Sequence, residues 1–224
     1  GFSGDNQWIQ HLIEVDIGET RTICAVDMDG DGKIDLFGTA RQGNQIVWYQ
    51  NPGNPALDTW HKHIIDTSPQ PIHGHPVDIT GNGSLDVVMA LGMLPADHDH
   101  NTQGATPHEI VWYEHDGNPA TSNWQKHIIC KHFPNAFEAI AADIDNDGQI
   151  EVIATAWHET GRVALFKHRG DPHGVWDMQL LKDGWTNASQ VIVADLKGNG
   201  RLDIVAAAER GSNEVRWWRN EGVR

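Results

Sequence analysis

Residues 27–35 read DMDGDGKID, and three later stretches repeat the pattern: DITGNGSLD at 78–86, DIDNDGQIE at 143–151 and DLKGNGRLD at 195–203. Each of these acidic loops comes directly before a short apolar run. A motif that recurs at this interval indicates a repeat architecture, because one such unit cannot bury its apolar face alone. The sequence therefore predicts four similar units that stack side by side or close into a ring.

The rest of each repeat reads as β-structure. A tryptophan lies 18 or 19 residues before every acidic loop and opens a segment that alternates like a half-buried strand. These four tryptophans are Trp8, Trp60, Trp124 and Trp176. An aromatic strand follows each apolar run, as in QIVWYQN and EIVWYEH, and no stretch has the periodicity of a long amphipathic helix. Each unit is thus predicted to contain four strands, two of them joined by the acidic loop.

The order of the segments predicts how the units close. A fourth-strand segment at 8–15 precedes the first unit, and a third-strand segment at 214–220 ends the last one. We therefore predict an all-β single domain, a β-propeller with four blades of four antiparallel strands, whose ring is closed when 8–15 pairs with 214–220. An open array of four sheets, a fragment of a larger propeller and an eight-bladed ring made by two strand-exchanging copies are the alternatives. The predicted blades span approximately 16–66, 67–130, 131–182, and 183–224 plus 1–15.

Size and charge restrict the classes of partner. A chain of 224 residues is long enough to bury a sizeable core as one domain. The formal net charge of −15 argues against binding to nucleic acid or to an anionic membrane surface, because no basic stripe is present to neutralise phosphates. The sequence also holds no apolar run long enough to insert into a membrane.

The acidic loops are candidate calcium sites. In the first loop, alternate side chains on a tight glycine turn point oxygen atoms towards one centre, as a hard cation with six to eight oxygen ligands requires. The predicted ligands are Asp27, Asp29, Asp31 and Asp35, with the carbonyl of Lys33. The third loop should bind similarly through Asp143, Asp145, Asp147 and Glu151, with the carbonyl of Gln149.

The other two loops carry less negative charge. The second loop keeps Asp78 and Asp86, with Thr80 and Asn82 as neutral oxygen donors, so we expect weaker binding there. In the fourth loop Lys197 replaces an acid, and its ammonium could take the place of the metal. We therefore expect the fourth loop to be empty.

These loops, together with the strands WYQN from Trp48, WYEH from Trp112 and WWRN from Trp217 and the W-x-K-H-I-I segments, resemble FG-GAP or VCBS-type propeller repeats. The resemblance covers nearly the whole chain. It implies structural calcium sites on the blades, as in integrin alpha-subunit heads, and an extracellular or periplasmic location. Related propellers serve as lectins, adhesion modules, and carbohydrate lyases or dehydratases. They usually have seven or eight blades, so four blades depart from the family pattern.

Function in a repeat protein is expected where the repeats differ. The second unit carries His73 and His75 where the first has Thr22 and Cys24, and residues two apart on a strand project to the same face. The ends of the second strands, which should lie on the same rim, add further polar and aromatic groups, and an insertion at 93–108 lies beside them. We identify as rim candidates His73, His75, His158, Arg41, Arg21, Glu138, Trp157, Trp185, Glu209 and Arg210.

Two classes of function fit this rim. The first is a binding module that recognises a carbohydrate, another small polar ligand or a protein partner, as a monomer or a strand-exchanged homodimer. The second is a carbohydrate lyase or dehydratase acting by β-elimination. In the enzyme, His73, His75 or His158 would be base or acid, and Arg41, Arg21 or Arg210 would neutralise the substrate carboxylate.

Overall fold

The computed structural model describes residues 8–93 and 108–222. The described part of the chain is built from fifteen β-strands and contains no helix, which confirms the prediction of an all-β protein. The described part of the chain therefore contains no helix that could span a membrane.

The strands follow the predicted repeat. The first unit contains β1 (Thr20–Val26), β2 (Asp35–Ala40), β3 (Gln45–Gln50) and β4 (His61–Asp66). The second contains β5 (Pro71–Val77), β6 (Asp86–Leu91), β7 (Glu109–Glu114) and β8 (Gln125–Cys130). The third contains β9 (Ala136–Ala142), β10 (Glu151–Ala156), β11 (Arg162–His168) and β12 (Trp176–Lys182). The fourth contains β13 (Ala188–Ala194), β14 (Asp203–Ala208) and β15 (Glu214–Trp218).

Every unit is an antiparallel meander in which the acidic loop joins the first two strands. The first unit forms a separate four-stranded sheet and the fourth unit a three-stranded one. The second and third units share an eight-stranded sheet, because His73 of β5 pairs in parallel with Glu138 of β9. This single bridge connects the innermost strands of two neighbouring units.

The units lie side by side around their first strands, which gives a propeller-like arrangement. Strand β1 contacts β5, β5 contacts β9, and β9 contacts β13. Within 8–93 and 108–222, no contact of similar extent joins β13 back to β1. Four closed blades are therefore not confirmed.

The predicted closure by the N-terminal strand is not confirmed in this structure. The described residues of the segment, 8–15, form no strand, and Trp8 at its start is 95% exposed. The Glu14 carboxylate instead accepts a hydrogen bond from the Tyr49 hydroxyl and lies 2.7 Å from Lys62 Nζ. These contacts hold the segment against β3 and β4 of the first unit. Among the described residues, no fourth strand lies beside β15.

The hydrophobic core lies between neighbouring units. Trp48 and Trp112, at equivalent positions of β3 and β7, are fully buried because the next unit covers them. Trp217 occupies the same position in β15, since it pairs with Val205 as Trp48 pairs with Phe37. No described unit follows the fourth one, and Trp217 remains 50% exposed.

The difference in burial between Trp48 and Trp217 should appear as a difference in unfolding free energy when each is truncated. Truncating a fully buried tryptophan costs about 3–5 kcal/mol of unfolding free energy, so Trp48→Ala should be strongly destabilising. Trp217→Ala should cost less than about 1 kcal/mol, because its side chain is already half in water. Denaturant unfolding of both variants checks this. Equal losses would mean that another strand or unit covers β15 in solution.

Candidate functional sites on the acidic loops and the inner strands

The acid at the ninth position of each loop fastens the loop to its unit. In the first loop, Asp35 Oδ2 accepts the Met28 N–H at 2.9 Å and Oδ1 accepts the Asn51 N–H at 2.8 Å. Asp203 likewise accepts the Asn220 N–H at 2.7 Å. The equivalent acids are all buried: Asp35, Asp86, Glu151 and Asp203. Of the predicted metal ligands at this position, Asp35 uses both oxygens on backbone N–H groups, whereas Asp86 uses Oδ2 alone and its Oδ1 has no hydrogen-bond partner among the described residues.

The first loop brings three carboxylates together. Asp27, Asp29 and Asp31 each contribute one carboxylate oxygen, and these three oxygens lie within 4.8 Å of one another. Asp27 shapes the turn, because its two oxygens accept the N–H groups of Gly30 and Gly32, each at 2.9 Å. Both glycines have positive φ, the left-handed conformation that side-chain-bearing residues rarely adopt. Convergent carboxylate oxygens on such a turn fit a hard cation such as calcium.

The third loop also brings acids together, but it includes a lysine. Oxygens of Asp143, Asp145 and Glu151 lie within 4.8 Å of one another, whereas Asp147 Oδ1 accepts the Gln149 N–H at 2.8 Å. Asp145 Oδ1 is buried and has no hydrogen-bond partner among the described residues, so one oxygen is available to a cation.

The sequence analysis did not predict that the ammonium group of Lys167 lies beside the acids of the third loop. The Lys167 ammonium contacts Asp145 and lies 3.3 Å from Glu151 Oε1. Lys167 stands on β11 where Gln50 stands on β3, and the Gln50 amide reaches Asp29 in the same way, at 2.6 Å. Comparing these two positions in the sequence would have shown that a positive charge is placed beside the third loop.

The second and fourth loops contain fewer acids. Asp78 accepts the N–H groups of Gly81 at 2.7 Å and Gly83 at 2.9 Å, which reproduces the turn of the first loop. Burial raises the pKa of Asp86 to about 6. Asn82 Oδ1 accepts the Ser84 N–H at 2.7 Å, so this predicted ligand oxygen is already occupied by backbone. In the described structure neither loop assembles three acidic or imidazole ligands.

The innermost strands carry a connected row of polar groups. Thr22 Oγ1 lies 2.9 Å from His73 Nδ1, and His73 pairs with Glu138 on the next unit. Glu138 Oε2 accepts the Val191 N–H at 2.7 Å, and its Oε1 lies 3.7 Å from His75 Nε2. The row therefore crosses all four units, and the two predicted histidines meet one acid.

The two histidines have opposite pKa shifts. Burial lowers the pKa of His73, and the charges of Arg21 and His75 act in the same direction, against the opposing charge of Glu138. Burial also acts to lower the pKa of His75, but the contacts with Cys24 and Glu138 raise it to about 9. At neutral pH His73 is therefore uncharged and His75 is a cation.

The aromatic part of the predicted rim lies close to this row. The His73 and Phe137 rings are 4.9 Å apart, and Phe137 belongs to an apolar cluster with Ile72 and Met93 against which Trp157 packs. Trp157 Nε1 donates to Glu209 Oε1 at 3.2 Å. We call the surface formed by His73, His75, Glu138 and Trp157 the histidine rim.

Other rim candidates are placed differently. Arg41 is buried and donates to Glu19 Oε2 at 2.6 Å, and Arg21 contacts the same carboxylate. Trp185 is 2% exposed and lies in the core between the third and fourth units, so it presents no face to a ligand.

The remaining candidates lie at the ends of the second strands. The His158 N–H donates to Asn187 Oδ1 at 3.0 Å, and Asn187 Nδ2 donates to the Arg210 carbonyl at 2.7 Å. The Arg210 side chain is exposed. The predicted 93–108 insertion lies outside the described residues except for Met93 and His108.

A protein-family model described as an FG-GAP-like repeat matches residues 27–89 and 143–206. These two regions contain the first two and the last two acidic loops and cover more than half of the chain. No curated protein matches the chain significantly.

The raised pKa of His75 gives a pH prediction. Because the folded-state pKa of about 9 exceeds the usual 6.5, protonated His75 contributes stability that is full below pH ~6.5 and is lost as the pH rises through ~9. In Glu138→Gln the His75 pKa should fall, since the negative partner is gone. NMR titration of the histidine ring protons measures both values. An unchanged His75 pKa in this variant would contradict the assigned ion pair.

Proposed function

Because the chain belongs to the family of FG-GAP-like repeat proteins, we propose that it is a calcium-stabilised, propeller-like module that recognises a carbohydrate or other polar ligand at the histidine rim. The observation that carries the proposal is the row of Thr22, His73, Glu138 and His75 on the innermost strands. It combines a neutral imidazole, a cationic imidazole and a carboxylate next to an indole.

The first and third loops support the calcium part of the proposal. Three carboxylates with oxygens within 4.8 Å repel one another, and a divalent cation at their centre would relieve that repulsion. Both loops already have an ammonium beside their carboxylates, since Lys33 contacts Asp31 in the first loop and Lys167 contacts Asp145 in the third. Calcium would displace a lysine in either loop. When bound, calcium would supply charge neutralisation and a fixed loop conformation and no reaction step.

The composition of the histidine rim supports a polar ligand. Imidazole and carboxylate groups offer both donors and acceptors for hydroxyl groups, and the half-buried Trp157 offers an apolar face of the kind that packs against a sugar ring. The repeats do not require histidine at these positions, since the first unit places Thr22 and Cys24 there. The imidazoles therefore serve something other than the shared scaffold.

The lyase or dehydratase is the second candidate function. It is favoured by the opposite pKa shifts of His73 and His75, which place a neutral base and a protonated acid on one strand. Against it, Arg41 and Arg21 are both engaged by Glu19, so two of the three proposed neutralising cations already have a partner. The third, Arg210, has an exposed side chain whose nearest acid is Glu209, 4.0 Å away. We therefore favour binding over catalysis.

The tyrosines give a further argument against elimination chemistry. The Tyr113 hydroxyl donates to Asp66 Oδ2 at 2.6 Å, and Tyr49 donates to Glu14. Burial and these carboxylates raise the pKa of both phenols, which makes them poor proton donors to a leaving group.

We extend the proposal to location and partners. Family resemblance supports an extracellular or periplasmic location, where millimolar calcium would fill loops of modest affinity. Pairing of 8–15 with β15, within one chain or between two copies, is supported by the shared pattern of that segment and of strands β4, β8 and β12. Such pairing would cover Trp217, so the Trp217→Ala measurement bears on it directly.

Calcium removal should lower the melting temperature. Calcium at about 100-fold over its Kd adds about 2.7 kcal/mol, which for a chain of this size corresponds to about 5–10 °C. Asp27→Asn should remove most of this calcium-dependent shift. Asp195→Asn is the matched control, since Asp195 shapes the fourth loop through the same contacts, including the Gly200 N–H at 2.7 Å. Equal calcium-dependent shifts in wild type and Asp27→Asn would contradict the assignment.

Substitutions on the histidine rim should weaken glycan binding. We expect His75→Ala and Trp157→Ala to lose at least about 10-fold in affinity for the best ligand found on an array of neutral and uronate-containing oligosaccharides. His63→Ala is the control, because His63 stacks on Trp48 on an outer strand. Absorbance of unsaturated uronates, followed in parallel, reports elimination. Unchanged affinity in both rim variants would exclude this surface.

A further inference from the structure

A second group of metal-ligand side chains lies apart from the acidic loops, between the second and third units. Glu114 ends β7, His127 lies on β8, and His173 lies in the loop between β11 and β12. Glu114 Oε2 is 3.1 Å from His127 Nε2 and 2.6 Å from His173 Nε2. One ligand atom from each residue lies within 4.8 Å of the other two.

The 3.1 Å separation of Glu114 and His127 is close to the spacing of ligand atoms around a small transition-metal ion, and the 2.6 Å hydrogen bond between Glu114 and His173 would open as an ion enters. Zinc binds histidine nitrogen and carboxylate oxygen at about 2.0–2.2 Å, so neighbouring ligand atoms of a tetrahedral site lie roughly 3.3 Å apart. Two imidazoles and one carboxylate, with an exchangeable fourth position, form a common ligand set for zinc. Nitrogen ligands also distinguish this site from the all-oxygen loops that suit calcium.

One of the imidazoles lacks a hydrogen bond that would otherwise explain its position. His127 Nε2 is buried and, although 3.1 Å from Glu114 Oε2, it makes no hydrogen bond of acceptable geometry within the described residues. A buried polar atom without a partner is costly, and a metal ion would satisfy it. The nitrogen lies beside the Glu114 carboxylate that also contacts His173.

The two histidine rings are held in place by other groups. His127 stacks on the buried Trp112, with ring centroids 4.4 Å apart and an interplanar angle of 23°. His173 Nδ1 lies 3.1 Å from Asp171 Oδ1, which leaves Nε2 directed to Glu114. A carboxylate on the far nitrogen of a metal-bound histidine fixes its tautomer and raises its basicity. Asp171 is therefore suited to orient a ligand.

Comparison with the first unit shows that the scaffold does not require this cluster. Trp48 and His63 stack at the same distance and angle as Trp112 and His127. Gln50, which ends β3, replaces Glu114, and its Oε1 lies 3.3 Å from His63 Nε2. The first interface thus has an amide where the second has a carboxylate.

The loop that supplies His173 also has an equivalent. Trp124 Nε1 donates to the Pro119 carbonyl at 3.2 Å, and Trp176 Nε1 donates to the Pro172 carbonyl at 2.9 Å. The residues that follow these prolines, Ala120 and His173, therefore correspond. Between the first and the second interface, two separate positions thus change from a residue without a metal-ligand side chain to one with it: Gln50 becomes Glu114, and Ala120 becomes His173.

From this geometry we propose that Glu114, His127 and His173 form a transition-metal site of the zinc class, with Asp171 as the orienting residue of His173. The site spans two units, so a bound ion would cross-link them at their outer strands. In the sequence, His127 only repeats the position of His63 and His173 lies beside a turn, so neither residue stands out as a ligand. The change from Gln50 to Glu114 was the available signal.

The test uses zinc titration of metal-free protein in excess calcium, which keeps the acidic loops filled. We expect one tight zinc site per chain, and Co²⁺ in its place should show the visible absorption of a tetrahedral nitrogen and oxygen site. The double variant Glu114→Gln/His173→Ala should bind zinc at least about 100-fold more weakly. It should fold, because it reproduces the arrangement of Gln50 and Ala120, and an unchanged calcium-dependent melting shift verifies this. If it does not fold, His173→Ala alone serves, since that side chain is about half exposed.

The reverse substitutions, which introduce the ligands into the first interface, provide a second test. Gln50→Glu/Ala120→His should build a second site beside His63 and raise the zinc stoichiometry from one to two. The proposal is overturned if wild type shows no saturable zinc binding, or if its zinc affinity is unchanged in the double or single variant. A stoichiometry that stays at one in the converse variant would contradict the claim that these three side chains suffice to bind zinc on this scaffold.

Discussion

The buried ninth-position acid of each acidic loop is the interaction on which the rest of the structure depends. Asp35 joins the loop backbone at Met28 to the end of the third strand at Asn51, and Asp203 accepts the equivalent third-strand N–H from Asn220. In the first unit, one carboxylate thus connects the turn between the first two strands to the end of the third strand. The glycine turn that it anchors is held from within by the first acid of the loop, as Asp27 shows.

The repeat determined how much of the fold could be predicted. The strand type and the order of the units followed from the four loops, because the motif specifies a local hairpin and the apolar runs on either side specify its buried face. Closure of the ring could not be predicted in the same way. The pattern of residues 8–15 indicates which kind of strand the segment can form, but not which strand it pairs with. Its partner depends on contacts such as that between Glu14 and Lys62, which neither segment reveals alone.

The adjacent unit decides where each candidate site residue lies. His73, His75 and Glu138 lie together, because residues at equivalent positions of stacked strands become neighbours. The placement of Trp185 and Arg41 was not foreseen, since burial and ion pairing depend on the adjacent unit. Lys167 was also overlooked, because it lies 16 residues beyond the loop that it contacts and belongs to a strand that otherwise reads as scaffold.

The bridge between His73 and Glu138 has a mechanical consequence. It makes the second and third units one continuous sheet, whereas within the described residues the first and fourth units are joined to their neighbours by side-chain hydrogen bonds and packing without strand pairing. Under tension applied at the two ends of the chain, the load would pass between units through one backbone bridge and through side-chain contacts such as those of Thr39 and Glu138. The boundaries between units would therefore yield before the meanders unravel, because each meander is held by several rows of paired backbone groups.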